Sequence, residues 1–204
     1  VSGRDELLGR AVEWFAVHGV GDVSLRTLAA GLGTSHRMLI YHFGSREGLL
    51  SAVVESVERG ERETLGRLMA DSSDPAEAAA EFWQHVSARA GTFAPLFFEL
   101  SAAAMQGKPY AASLSAWLVE GWADPLTDLF TRLTADAALA RDLAHLCLAA
   151  ARGLLFEAAV TGERGAADAA MTQLTTMVGA AVAATPVPGA GGGDLDAGPC
   201  DNAS

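Results

Sequence analysis

Apolar residues along this chain recur at three- and four-residue spacing and almost never alternate with polar ones, so the pattern predicts helices and no sheet. Over residues 4–18, Leu7, Leu8, Ala11, Val12, Trp14, Phe15 and Val17 form an apolar stripe, and "HGVGD" (18–22) ends that helix on glycine. Ser24 stands where an N-cap belongs, ahead of a short helix over 25–31 with Leu25, Leu28 and Ala29 turned inward. "GLGT" (31–34) makes a turn. Ser35 caps a second short helix running to Phe43, Gly44 breaks it, and Ser45 caps a long helix over 46–69. Two short capped helices joined by a four-residue glycine turn form a helix-turn-helix, whose second helix is shaped to lie in a DNA major groove.

The rest of the chain continues in the same period. "DSSDP" (71–75) begins a helix over 75–89 with proline in its first turn, "GTFAP" interrupts, and a helix over 94–106 follows. "GKP" (107–109) breaks again before a long segment from Tyr110 to Leu133 that Pro125 kinks or splits. Two last helices, over 137–161 and 167–184, are joined by "TGERGA" and are rich in small residues, which lets helices approach closely. From Thr185 a Pro, Gly and Asp tail holds too little apolar surface to fold and reads as disordered. The glycine run 191–193 lacks the strand and helix of a phosphate-binding loop, and no internal repeat is present. The fold class is all-α: a three-helix helix-turn-helix domain over 1–50, a larger helical domain over 51–184, and a tail over 185–204.

Composition narrows the function. Half of the 204 residues are hydrophobic, enough for a sizeable core. No run approaches the ~18 uninterrupted apolar residues of a membrane span, and the first residues lack a secretory apolar block, which places the protein in the cytoplasm. Cys147 and Cys200 offer neither a disulfide framework nor a metal-ligand spacing. The histidine nearest Cys147 is His145, two residues away and so on another helix face, and no Ser, His, Asp set or paired-carboxylate motif appears. An enzyme is therefore disfavoured, and neither catalytic residues, a metal nor a cofactor is expected. The net charge of −11 is uneven: residues 1–50 carry five arginines against five acids, so the whole deficit lies after residue 50. A basic surface for nucleic acid is possible only at the front.

The front also holds "TSHRMLIYHFGSREGLL" (34–50), which gathers His36, Arg37, Tyr41, His42 and Arg46. Residues 4–55 resemble the TetR family of bacterial transcriptional regulators. Ala29, Gly33, Ser35, Leu39, His42, Phe43, Ser45, Arg46 and Leu49 stand at the positions of the family's gapped pattern, with Thr34 close to its usual valine. Two positions depart from it: Arg37 replaces the usual glycine early in the recognition helix, and Ile40 replaces the usual tyrosine, with the phenol moved to Tyr41.

A guanidinium near the start of a recognition helix can bond both acceptors of guanine, which makes Arg37 the first candidate for reading bases, with His36 and Met38 beside it. Arg26 reaches the groove edge. Phosphates need donors at fixed positions, which suits Ser24, Ser35, Tyr41, His42 and Arg46, the last at the positive end of the fourth helix. Leu28, Ala29, Leu39 and Phe43 form the small core. Ser24 and Ser35 are equally explained as caps, and Tyr41 and His42 as packing.

The resemblance implies that the remaining residues bind an effector and dimerise. The helices over 137–161 and 167–184 would form a bundle with a second copy, placing two recognition helices ~34–36 Å apart on a double-stranded palindromic operator. Clustered aromatics, among them Trp83, Phe93, Phe98, Tyr110 and Phe130, are core or pocket. The candidate ligand set is Phe82, His85, Phe97, Met105, Trp117, Trp122, His145 and Arg152, for an unidentified small-molecule effector that is apolar or cationic. The expected protein is a ligand-released repressor. The alternatives are an activator on the same fold or a helix-turn-helix that docks protein instead of DNA.

Overall fold

The computed structural model describes residues 2–19, 23–112 and 116–184, apart from the side chains of 116 and 117, and no strand occurs among the described residues. Helix α1 (Gly3–His18) starts one residue earlier than predicted because Ser2 and Asp5 cap one another. The Ser2 hydroxyl accepts the Asp5 N–H, and the Asp5 carboxylate accepts the Ser2 N–H, each at 3.2 Å. Helices α2 (Leu25–Gly31) and α3 (His36–Phe43) begin as predicted: Ser24 accepts from the Thr27 N–H at 3.1 Å and Ser35 from the Met38 N–H at 3.2 Å. Between them Gly33 has φ 61°, a left-handed turn that lets the Thr34 N–H reach the Ala29 carbonyl at 2.9 Å.

Helix α4 (Arg46–Asp71), capped by Ser45, runs from this head into the body. Leu7, Ala11 and Phe15 of α1, Leu28 of α2, Leu39 of α3, and Leu49, Leu50 and Val53 of α4 bury together, and the same cluster continues into Leu96 and Leu100 of α6 (Ala90–Met105). Each such side chain contributes roughly 1.5–3 kcal/mol, so the head is held by its own core and by the body at once.

The body differs from the predicted pattern in its breaks. Helix α5 (Pro75–Ala88) and α6 are separated by Arg89 alone, with φ −105° and ψ 0°. The interruption predicted at "GTFAP" is absent, because α6 passes through Pro95. That proline removes a single N–H donor near the start of the helix, and burial of Phe93, Ala94 and Leu96 around it offsets the loss. Pro125 likewise lies inside α7 (Gly121–Thr131) without splitting it. The long segment is broken upstream instead, by a 3-10 turn (Pro109–Ala111) and a π-helical turn (Ala116–Glu120) that leads into α7. Helix α8 (Ala137–Thr161) is capped by Asp136, closes on Gly162 at φ 76°, and is followed by α9 (Arg164–Ala184), which starts three residues earlier than predicted. The tail predicted from Thr185 lies outside the described residues.

A second cluster joins Leu65 and Met69 of α4, Trp122, Leu129 and Phe130 of α7, Leu143 and Ala144 of α8, and Val178 of α9. By length and composition α8 is the one described helix that is apolar enough to cross a membrane; here it packs on α6, α7 and α9. It leaves Leu146, Phe156 and Val160 exposed, and α9 leaves Met177 exposed.

Candidate nucleic-acid interface and effector cavity

Helix α3 is anchored by one fully buried residue, Leu39, and everything that could read a groove stands on its other side. His36, Arg37, Met38 and Tyr41 are exposed, Tyr41 at 77%. His42 is half-buried, its ring set edge-on to Tyr41 at 4.9 Å and to Phe43 at 6.3 Å, while Arg4 of α1 lies over the Phe43 ring at 5.2 Å. Ser24 and Ser35 hold their caps at the two helix starts, and Arg26 is exposed in the first turn of α2. Arg46 is half-buried, and its Nε donates to the Val23 carbonyl at 2.9 Å, pinning the start of α4 to the residue before the α2 cap. From Val23 through Arg46 the chain holds three arginines and no acid. A net-acidic protein thus presents a locally positive surface at α2 and α3.

Behind the head lies a cavity of about 620 Å³ walled by α4 to α9. This is a common size for a drug-sized ligand. Of the candidate ligand residues, Phe82, Phe97, Trp122 and Arg152 line it. Three others do not, and the prediction is corrected. Met105, at the end of α6, is 83% exposed, and His145 is on the solvent side of α8 while its neighbours Leu143 and Ala144 are buried. His85 is turned to Glu61, with Nε2 2.8 Å from Oε2, and is not part of the lining. The Trp117 side chain lies outside the described residues.

Arg152 apart, the charged groups of the wall were missed by the sequence reading. Glu58 and Glu61 sit one turn apart on α4. The Trp122 indole donates to Glu58 Oε2 at 2.7 Å, and Arg152 stands 3.8 Å from the same oxygen while donating to the Leu118 carbonyl of the π-helical turn. Burial pushes the Glu58 carboxyl above its ordinary range, against the opposing effects of Trp122 and Arg152, and pushes the Arg152 guanidinium below its own. Arg89 binds Glu61 Oε1 at 2.9 Å. Guanidiniums lie over cavity rings at three places: Arg62 on Trp122, Arg89 on Phe93 and Arg152 on Phe97, at 5.8, 5.4 and 5.3 Å. Cys147 also lines the cavity, but burial raises its thiol to about 11, which leaves it protonated and a poor nucleophile. Glu58 and Glu61 fall in register with Val54 and Leu65, so carboxylates within an apolar stripe were the signal that could have revealed them.

Comparison with known proteins bears on this arrangement. Residues 7–53 match the family model described as bacterial regulatory proteins, tetR family. The HTH-type transcriptional regulatory protein RaaS of Mycobacterium tuberculosis is 34% identical over 104 residues, 51% of this chain and 46% of RaaS. The match therefore spans about half the length of that relative. A transcriptional regulator from Rhodococcus sp. Rha1 has a similar fold, with TM-score 0.69, 17% identity, and coverage of 91% of this chain and 100% of that one. Thermus thermophilus FadR, a TetR-family transcriptional repressor solved in complex with lauroyl-CoA, superposes with TM-score 0.59 at 18% identity, covering 93% and 100%. Residues 7–53 thus carry a helix-turn-helix of the tetR family of bacterial regulatory proteins, on a fold that the chain shares with solved transcriptional regulators.

Proposed function

We propose that this protein is a ligand-responsive transcriptional regulator, a repressor that binds a palindromic double-stranded operator as a homodimer and is released by a small molecule. Residues 1–50 form its DNA-binding domain and residues 51–184 its effector-binding and dimerisation domain, in the cytoplasm and without a membrane partner. One observation carries the reading. Helix α4 has Leu49, Leu50 and Val53 in the core of the head and Val57, Glu58, Glu61 and Leu65 in the wall of the cavity. A ligand that prefers one setting of α4 shifts the spacing of two α3 helices by its differential affinity for the two settings. That Thermus thermophilus FadR holds lauroyl-CoA on the same fold supports an effector in the body.

The DNA-contact set is Ser24, Arg26, Ser35, His36, Arg37, Met38, Tyr41, His42 and Arg46. Exposure of the α3 face, with three arginines and no acid between Val23 and Arg46, supports it. The exposed Leu146, Phe156 and Val160 of α8 and Met177 of α9 support pairing through those two helices. Selection of genomic fragments by the purified protein tests the whole reading. A palindrome bound by two copies, with affinity falling steeply in salt, is the expected result; salt-insensitive binding, or binding of protein only, would transfer the helix-turn-helix to a docking role.

A further inference from the structure

We propose that Ile40, a position outside the contact set above, reads the C5-methyl group of a thymine in each half-site, within about two base pairs of the base that Arg37 contacts. This rests on α3 entering a major groove. Ile40 is 40% exposed and Met38 41%, on either side of the fully buried Leu39. Successive residues of an α-helix turn by about 100°, so Arg37 and Tyr41 point directly away from the core, and Ile40 and Met38 form the two flanks of the exposed face. Val23, Leu25 and Phe43 make the partly buried fringe of the head core, and Ile40 and Met38 stand outside it. A β-branched side chain also lowers helix propensity, so alanine would serve the fold better at this exposed position.

Ile40 has neither donor nor acceptor in its side chain, so it bonds no phosphate and no polar base edge. The apolar group that base edges offer in the major groove is the thymine methyl, and contact with it is how an aliphatic side chain selects thymine. The dimensions agree. Helix α3 has eight residues and is about 12 Å long, close to the groove's width of about 12 Å, so its second turn lies between the groove walls along with its first. Residues three apart on a helix stand about 5–6 Å from one another, against about 3.4 Å between successive base pairs, which sets the distance from the Arg37 base. The neighbours leave Ile40 open: the Tyr41 ring is set edge-on to His42 at 4.9 Å, on the side of the helix away from Ile40, and His36, one turn earlier on the same flank, is itself exposed. Met38 on the other flank is unbranched and adapts to what it meets, whereas the branched Ile40 is stiff at χ1 and holds its methyls at fixed positions, which suits discrimination.

Deoxyuridine in place of thymidine removes that methyl and leaves every hydrogen-bonding group of the base in place. On an operator obtained by fragment selection, the thymines are replaced in symmetry-related pairs, and the full chain is titrated by fluorescence anisotropy. The expected result is a thymine position at which uracil weakens the wild type by about fourfold per half-site, the effect of one buried methyl. Ile40→Ala is expected to bind the thymine operator more weakly and to be indifferent to uracil at that position alone; Ile40→Val, which keeps the branch, retains part of the penalty. Should Ile40→Ala fail to fold, Ile40→Val answers. Uracil tolerated at every position, a penalty that persists undiminished in both Ile40 variants, or one that disappears only in Met38→Ala overturns the proposal. So does a sensitive thymine farther than about two base pairs from the base whose preference relaxes in Arg37→Ala. The same titrations separate this proposal from the reading beneath it. An operator bound with every uracil tolerated rejects the methyl contact and leaves the regulator; no operator bound at any salt concentration rejects the regulator and Ile40's role with it.

Discussion

The Trp122 indole N–H of α7 donates to Glu58 of α4 across 2.7 Å, joining the helix that carries the head to the far wall of the cavity. Trp122→Phe keeps most of the ring and removes the donor. A hydrogen bond to a carboxylate contributes about 1.5–3 kcal/mol, so the urea midpoint is expected to fall by an equivalent amount with an unchanged slope. An unaltered midpoint would mean that the bond contributes nothing to holding α7 on α4.

Glu58 also sets a pH dependence. Its ordinary value is 4.5, and burial with Glu61 nearby raises it in the folded protein, while Trp122, Arg152 and Arg62 act in the opposite direction. The folded chain therefore binds this proton more tightly than the unfolded one. Its contribution to stability is present at low pH and is lost as pH rises through the folded value. Melting temperatures taken between about pH 5 and 8 should decline more in the wild type than in Glu58→Gln, which cannot titrate. Parallel curves would place the titration elsewhere.

Two glycines of α4 should respond in opposite directions. A Cβ on Gly48 would stand 2.1 Å from the Phe43 carbonyl oxygen, part of the backbone that ends α3, whereas a Cβ on Gly66 meets nothing within 4 Å. Gly66→Ala is expected to stabilise by up to about 1 kcal/mol through helix propensity. Gly48→Ala is expected to cost about 1–3 kcal/mol by forcing the α3–α4 junction apart, and to weaken operator binding as well. Similar melting temperatures for the two variants would contradict the close approach.

The exposed apolar residues of α8 and α9 give a fourth prediction. Val160, 68% exposed, and Met177, 61% exposed, have no partner cluster within the chain's three cores as described. Val160→Glu with Met177→Glu is expected to yield a monomer by sedimentation with its helical signal intact, and to lower operator affinity by more than about tenfold, since both half-sites then bind separately. A dimer that survives both charges would move the interface off this face.

What was legible in the sequence was local. Ser24, Ser35 and Ser45 announce three helix starts through a bond to a backbone N–H three residues on, and Gly33 and Gly44 mark the turns between them, all within a few residues of chain. Pro95 was misread because the cost of one lost donor is weighed against burial of Phe93 and Leu96 by α1 and α4, which a local pattern does not contain. The cavity failed for the same reason. Phe82, Phe97 and Trp122 were visible as aromatics, but whether Met105 or Phe93 lies inside depends on where α6 ends. Glu58 and Glu61 share a helix face with Val54 and Leu65, but the groups that meet them, Trp122 and Arg152 at Glu58 and His85 and Arg89 at Glu61, are distant in sequence.

The central claim is that the exposed face of α3 reads DNA, and Arg37 tests it most directly. Gel shifts of wild type and Arg37→Ala on the selected operator, repeated across a salt series, are the measurement. The account predicts that the variant loses about 1–3 kcal/mol at one base position, with relaxed preference there, while its fold and dimerisation persist. Equal affinity and equal base preference for the two proteins at every salt concentration would contradict it.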